Sequence, residues 1–491
     1  MDPPGHEDGP SHWQVAIIGA GPGGLGLAIS LVESGRRDFV VFEATDGVGG
    51  TWRVNTYPGA ACDVPSHLYS YSFALKPDWS KTYAQQPEIL RYFEECADRW
   101  GVRTHLRTGV RIVSAQWDAG ARHWRLSDHE GGRYTADVVV SAIGTFTTPS
   151  YPDTAGLDCF AGPCFHSARW EHQHDLSGRR VAVVGTGASS AQIVPELAKV
   201  AARVDVYQRT PQWILPRRDK PFSEEEKQLF AKNREAMEQH REEIFWAYEN
   251  TIAFRVDDPT ADRLREIALS HIDYRIKDEA LKAKLTPNYE FGCKRTLVCS
   301  DFYKAVLRDN VDIITEPIDH VTPGAVVTAD GTERTVDAIV LATGFKATEY
   351  LEGIEVVGTG GRLLHDDWAE VAHAYLGLSV TGYPNFFMMY GPNTNQGGNS
   401  IILILEAQAA YVVSALDAMR DAGVAAVEVK PDVMGRYNDE LHVALEGTVW
   451  HHGCQSYFKN ASGRIATQLP QTSLWYAERT KQFEMEDYER V

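Results

Sequence analysis

Two adjacent cations, Lys294 and Arg295, follow the stretch Asn288-Tyr-Glu-Phe-Gly-Cys and stand at the entrance of the apolar residues 296–299. Cations so placed are poor candidates for plain surface charge, because a buried guanidinium calls for an acid or an anionic ligand. Far upstream, residues 49–63 read GG-x-W-x4-YPG-x3-D and hold a single acid, Asp63. The segment is too irregular for a core helix or strand. A loop of this kind can press its backbone against a flat ring and set one carboxylate beside it. The bland reading of Trp52, Tyr57 and Tyr69 is that they are core aromatics. Asp63 is therefore one candidate partner for Arg295, and an anionic ligand is the other. A third constellation, FAGPCFHSARW over residues 160–170, fixes Phe160, Gly162, His166 and Trp170 in the spacing F-x-G-x-x-x-H-x-x-x-W. Read on its own, His166 there could serve as a general base.

The elements that position these groups are legible as a duplication. Residues 14–18 form a short apolar strand that runs into GAGPGG, with Gly19, Gly21 and Gly24 in the pattern G-x-G-x-x-G. Helical periodicity follows and stops at Gly35, a plausible C-cap. A second strand, residues 39–42, ends at Glu43, where a carboxylate can reach a ribose hydroxyl in a βαβ unit. Residues 181–190, VAVVGTGASS, repeat the scheme with Gly185, Thr186, Gly187, Ser189 and Ser190. Arg209 stands as far after Gly185 as Glu43 stands after Gly19. An acid suits a ribose diol and repels a phosphate, whereas a guanidinium suits a 2′-phosphate. The first unit is thus expected to hold FAD and the second NADPH, an ordinary solvated Arg209 being the alternative.

Each unit closes on an apolar strand and a small-residue turn: residues 138–140 into Ser141-Ala-Ile-Gly144, and Ala338–Leu341 into Ala342-Thr-Gly-Phe345. The expected fold class is α/β, with two nested Rossmann-like dinucleotide-binding domains and a helical insertion at about residues 223–284. Ser223 and Glu226 open that insertion with capping-box spacing. It reads either as a lid that keeps water from the site or as a solvated surface bundle. The expected boundaries are a disordered tail at 1–13, an FAD-binding part at 14–148, an NADP-binding domain at 149–382, and the second FAD-binding part with a C-terminal loop at 383–491.

Composition narrows the partners. The formal net charge of −19, with Lys and Arg scattered, argues against nucleic acid and anionic membrane. The N-terminus has no basic region followed by an apolar stretch, and the longest apolar runs, such as residues 401–405, are too short to cross a bilayer. Seven cysteines without framework spacing fit a reducing, cytoplasmic setting. Cys159 and Cys164 could imitate a redox pair, but such a pair is expected just after the first dinucleotide loop rather than before the second.

Taken together, the two glycine loops in order, the residue 49–63 segment, the 160–170 fingerprint, FGCKR and ATGF resemble the type I Baeyer–Villiger monooxygenases over nearly the whole chain. The resemblance implies an FAD-dependent enzyme that consumes NADPH and O2 and converts ketones to esters or lactones through a C4a-peroxyflavin. It implies that Arg295 stabilises the peroxide and the anionic adduct, that Asp63 orients Arg295, and that Lys294, Arg209 and Thr210 grip the NADP ribose phosphate. Glu43, Thr51, Trp52, Tyr69 and the backbone near Val110 match FAD contacts, and His166 matches a linchpin between domains. Three positions depart from the family pattern: Glu171 after the fingerprint, Ser190 in the second loop, and Tyr457 where a tryptophan facing the nicotinamide is expected. The partners so implied are a small ketone and O2, the oligomeric state being monomer or dimer. The nearest rival is a flavin-containing monooxygenase that oxygenates amine nitrogen or sulfide sulfur and needs no arginine to support an anion. A hydride-shuttling reductase and a non-catalytic flavin sensor are the remaining alternatives.

Overall fold

The computed structural model describes residues 11–250, 254–256, 258–452 and 456–491. Strand Ser11–Ile18 lies between Arg133–Ser141 and Phe39–Glu43 and pairs in parallel with both. Its inner residues Val15, Ala16, Ile17 and Ile18 are buried from both faces, which is why the sequence reads as a continuous apolar run rather than an alternating one. The strand begins earlier than the expected tail allows: Ser11 and His12 already pair with Tyr134 and Thr135. Trp13 packs edge-on against Phe42 and lies under the Arg107 guanidinium, so strand burial overrides the polar, Pro/Gly-rich composition of the preceding chain. The rest of the expected tail, residues 1–10, lies outside the described residues.

Around this strand runs the first sheet, in the order Glu355–Val357, Ile112–Asp118, His123–Asp128, Arg133–Ser141, Ser11–Ile18, Phe39–Glu43, Leu106–Thr108, with Phe386–Met388 also on Arg133–Ser141. The chain thus leaves the sheet after Ser141 and rejoins it at Glu355–Val357, then again at Phe386–Met388. Between these visits it builds a second, parallel sheet in the order Val311–Ile314, Arg203–Tyr207, Arg180–Val184, Ala338–Leu341, Cys164–His166.

Both sheets turn into their glycine loops in the same way. Gly19 has φ +104° and Gly185 φ +106°, a left-handed conformation that side chains rarely adopt. A Cβ on Gly19 would stand 2.7 Å from the Ala142 carbonyl oxygen, and one on Gly185 would stand 2.5 Å from the Ala342 carbonyl oxygen. Each loop therefore rests on the small-residue turn that closes its own half.

Among the described residues the insertion forms helices Glu224–Lys232, Arg234–Glu249, Pro259–Arg275 and Glu279–Leu285. Ser223 and Glu226 make the reciprocal capping box. The first two helices bury Phe230 and Met237 in the core of the first half, and the last two bury Ile272 and Leu285 in the core of the second. A free surface bundle would bury neither. The short apolar run at residues 401–405 belongs to a longer helix, Ile401–Ala422, whose 22 residues are long and apolar enough to cross a membrane by length and composition. It is instead the central helix of the first half, packed on Pro22–Glu33 with Ala409, Val412 and Ala415 fully buried.

Candidate active site

Asp63 and Arg295 arrive from different halves of the molecule, 232 residues apart, and meet. Arg295 donates from Nε and Nη2 to Asp63 Oδ2 at 3.2 and 2.6 Å. Asp63 comes from the loop after the first glycine loop. Arg295 comes from the turn before Leu297–Val298, a short strand parallel to Ile214–Leu215. Burial alone would raise the Asp63 pKa, but the charge and hydrogen bonds of Arg295 outweigh it and hold the carboxyl below its usual range. The Asp63 carboxylate in turn raises the Arg295 pKa further, so the pair is ionised at neutral pH. Arg295 keeps 37% of its side-chain surface accessible and Asp63 keeps 24%, and the accessible space beside the pair is the hollow of the site. Tyr57, Tyr69, Tyr390 and Tyr457 lie in the field of this pair, Tyr457 with 43% of its surface exposed, and desolvation raises the pKa of each hydroxyl, leaving them neutral.

On the other side of the same turn, Lys294 stands over the Tyr289 ring at 5.0 Å. Burial and then the neighbouring charge of Arg209 lower its pKa. Neither cation has a carboxylate partner among the described residues. Two neighbouring like charges without a carboxylate counter-ion suit an anionic ligand. Thr186 donates to the Thr210 carbonyl at 2.9 Å and ties the second glycine loop to the Arg209–Thr210 corner. Gly187 caps helix Ala188–Val200, and Ser189 lies in its first turn, where backbone N–H groups lack helical acceptors. The Ser190 hydroxyl is buried without a partner. This set of donors fits a phosphorylated nicotinamide dinucleotide.

The first loop is built for a diol. Glu43 is 6% exposed and accepts from Ala20 N at 2.7 Å and from the N–H and hydroxyl of Thr45 at 2.7 and 2.8 Å. Three of the roughly four lone-pair sites of a carboxylate are thus used, leaving room for a ribose hydroxyl. Gly21 caps helix Pro22–Glu33 and presents its free amides. Gly24 lies in its first turn, while Val110 donates its N–H to the Glu43 carbonyl at 3.0 Å and floors the far end of the site. Thr51 is exposed at the start of a single helical turn, and Trp52 donates to the Tyr69 hydroxyl at 3.0 Å. The arrangement fits a flavin dinucleotide in the first half.

The fingerprint lies at the edge of the second sheet. His166 is fully buried; its Nδ1 accepts from the Ala168 N–H at 3.1 Å, and its ring packs on Phe345 of the closing turn. Burial lowers its pKa, so the ring is neutral at pH 7. Trp170 meets Phe165 edge-on at 5.1 Å, and Phe160 and Gly162 lead into strand Cys164–His166. Cys159 and Cys164 are both free thiols in the second half.

Two contributors, Arg217 and Tyr390, were not evident in the sequence, and Trp450 was legible only as part of the C-terminal loop that resembles the family's mobile loop. Arg217 stacks on Tyr83 at 4.9 Å and adds a second positive charge near Asp63. Tyr390 donates to Asn395 at 2.7 Å and its hydroxyl lies in the field of Arg295. Trp450 donates to the Gly292 carbonyl at 3.0 Å and stacks on Phe254 at 4.8 Å, which fixes the start of the turn that carries Lys294 and Arg295. A lone arginine or tyrosine outside any motif gives no sequence signal of this kind. Tyr457 sits beside Phe458 and within the field of Arg295. Gln455, expected in the same C-terminal loop, lies outside the described residues.

Two dinucleotide sites, one acidic and one cationic, flanking a fixed arginine–aspartate pair define a flavoprotein oxidoreductase with two nucleotide cofactors. A family model described as pyridine nucleotide-disulphide oxidoreductase matches residues 16–252. The chain is 42% identical to a Baeyer–Villiger monooxygenase of Pseudomonas aeruginosa over 97% of its own length and 91% of the relative's. It is 41% identical to a Baeyer–Villiger monooxygenase of Streptomyces coelicolor, covering 99% and 94%. Among solved structures it superposes on an oxidized steroid monooxygenase bound to NADP with TM-score 0.86 and 31% identity, covering 98% and 99%. It also superposes on cyclohexanone monooxygenase from Rhodococcus sp. Phi1 bound to NADP+ with TM-score 0.87 and 27% identity, covering 98% and 99%. The chain belongs to the Baeyer–Villiger monooxygenases.

Proposed function

We propose that this protein converts ketones to esters or lactones, consuming NADPH and O2, with FAD in the first half and NADPH in the second. When bound, the two cofactors supply the electrons and the activated oxygen. The carrying observation is the charge pattern of the hollow: one fixed guanidinium, locked by Asp63, among neutral tyrosine hydroxyls. Such a site stabilises negative charge that develops on oxygen, as attack on a ketone carbonyl requires. Asp63 stays ionised and aims Arg295 rather than moving a proton. Glu43 accepts from a ribose hydroxyl in the first site, and Arg209 with Lys294 neutralises the 2′-phosphate in the second. The insertion, which packs on both halves, excludes water from the hollow. Oxygenation of a sulfide or amine needs no such cation.

The test is product analysis with 18O2. Holoenzyme and NADPH are offered a panel of cyclic, linear and aromatic ketones and, in parallel, sulfides and amines. The expected result is an ester or lactone carrying one 18O atom from at least one ketone. Oxygenated sulfide or amine with no ester from any ketone would overturn the proposal.

A further inference from the structure

The loop that carries Asp63 belongs to the first half, yet one side chain of the second half holds it. Residues 60–62 run as a strand-like strip along residues 84–86: Cys62 N–H donates to the Ala84 carbonyl at 3.1 Å and Gln86 N–H to the Ala60 carbonyl at 2.9 Å. In such a strip alternate residues point their peptide groups to opposite sides. Ala61 therefore turns its N–H and C=O the other way, toward helix Ala188–Val200, which follows the second glycine loop. There Gln192 Nε2 donates to the Ala61 carbonyl at 2.9 Å, and Gln192 Oε1 accepts from the Ala61 N–H at 3.4 Å. The carboxamide acts as the missing peptide of a neighbouring strand. The same Oε1 accepts from the Tyr57 hydroxyl at 3.1 Å.

The backbone confirms how closely the two halves approach here. Gly59 has φ +81°, and a Cβ on it would stand 2.6 Å from the Gln192 carbonyl oxygen and 3.0 Å from Glu196 Cγ. Only glycine lets the loop lie on the helix at this point. Two residues beyond the Gln192 clasp comes Asp63, whose Oδ2 takes both donors of Arg295.

We infer that Gln192 is a positioning residue: by clasping Ala61 and Tyr57 from the second half, it sets Asp63, and through Asp63 it aims Arg295. The inference rests on the proposed ketone chemistry, and its test separates the two. Wild-type holoenzyme is first shown to form ester from a ketone; failure at that step concerns the reaction, not Gln192. Gln192→Leu, Gln192→Glu and Tyr57→Phe are then compared for ester formed, hydrogen peroxide released and NADPH consumed. Gln192→Leu loses all three bonds of the clasp and should lower the ester kcat by about tenfold or more, since small misplacement at a reacting centre costs this much. Most of the NADPH should then end as hydrogen peroxide, while KM for NADPH stays within about twofold. Gln192→Glu keeps the acceptor and should fall between, and Tyr57→Phe, losing one bond, should cost about two- to threefold.

A merely structural role is distinguished by coupling. Combined with Asp63→Asn, Gln192→Leu should add nothing to the fall in ester per NADPH seen for Asp63→Asn alone, because both act through one group. Losses that multiply in the double variant would overturn the inference, as would a wild-type ester fraction in Gln192→Leu. A rise in KM for NADPH equal to the fall in kcat would assign Gln192 to the nicotinamide site instead. Should Gln192→Leu not fold, unchanged ester yields in both Gln192→Glu and Tyr57→Phe would overturn it equally.

Discussion

The two dinucleotide loops have the same backbone and opposite chemistry. Gly19 and Gly185 take the same left-handed turn, and each packs on the alanine carbonyl of its own closing turn. At the matching strand ends, however, Glu43 is buried and thrice hydrogen-bonded, while Arg209 is exposed, has no carboxylate partner among the described residues and lies in the field of Lys294. The third small position differs too. At Gly24 a Cβ would fall 1.9 Å from the Gly19 carbonyl oxygen, whereas the second loop holds Ser190 there without strain. Fold duplication supplies two cradles, and single charged residues at their rims decide which nucleotide each accepts. The acid is held by neighbouring protein donors; the cations are placed to meet an anion.

Substitutions can break this contrast, and the largest effect belongs to the tighter loop. Gly24→Ala should strip FAD and lower the melting temperature, because overpacking of this severity costs about 3 kcal/mol or more. Ser190→Gly, its counterpart, should cost about 1 kcal/mol or less. Flavin absorbance per protein and a thermal melt measure both. Arg209→Ala should raise KM for NADPH by about ten- to a hundredfold, the worth of a charge-assisted bond to phosphate, and leave KM for NADH within about twofold. Equal effects on both coenzymes would remove Arg209 from the phosphate site.

A pH-dependent effect sharpens the contrast at the insertion, which joins the two halves. His67 from the first half is buried against Phe222, Phe230 and His240, and burial lowers its pKa to about 3. The folded protein then binds fewer protons than the unfolded chain between the ordinary histidine value and pH 3. The stabilisation is therefore full above about pH 6.5 and is lost as pH falls through that window. His67→Phe should flatten the acid limb of stability, read by denaturant melts at pH 7 and pH 5 with Glu226 and His240 intact. An unchanged slope would show that His67 does not control it.

The sequence was most readable where local rules decide the outcome. Glycine loops, the apolar strands beside them, the Ser223 capping box and the Glu43–Arg209 contrast all depend on spacing within one unit. It was least readable where the outcome depends on neighbours. Ser11–Trp13 look like a polar tail until Tyr134–Ala136 offer a strand to pair with. Residues 401–405 look like a short run until the helix around them is seen to continue to Ala422. Asp63 and Arg295 could be named as candidates, but their contact spans 232 residues and is fixed only by the packing of one half on the other. Gln192 carries no motif at all; only the direction of the Ala61 peptide groups reveals what it does.

Arg295→Ala bears most directly on the central idea, that a fixed guanidinium in the hollow supports negative charge on oxygen. In rapid mixing, NADPH should still reduce the bound flavin within about threefold of the wild-type rate, since Arg209 and Lys294 are untouched. Ester formation from a ketone that wild type converts should vanish, with NADPH consumption appearing as hydrogen peroxide. Ester formed at the wild-type rate by Arg295→Ala would contradict the account.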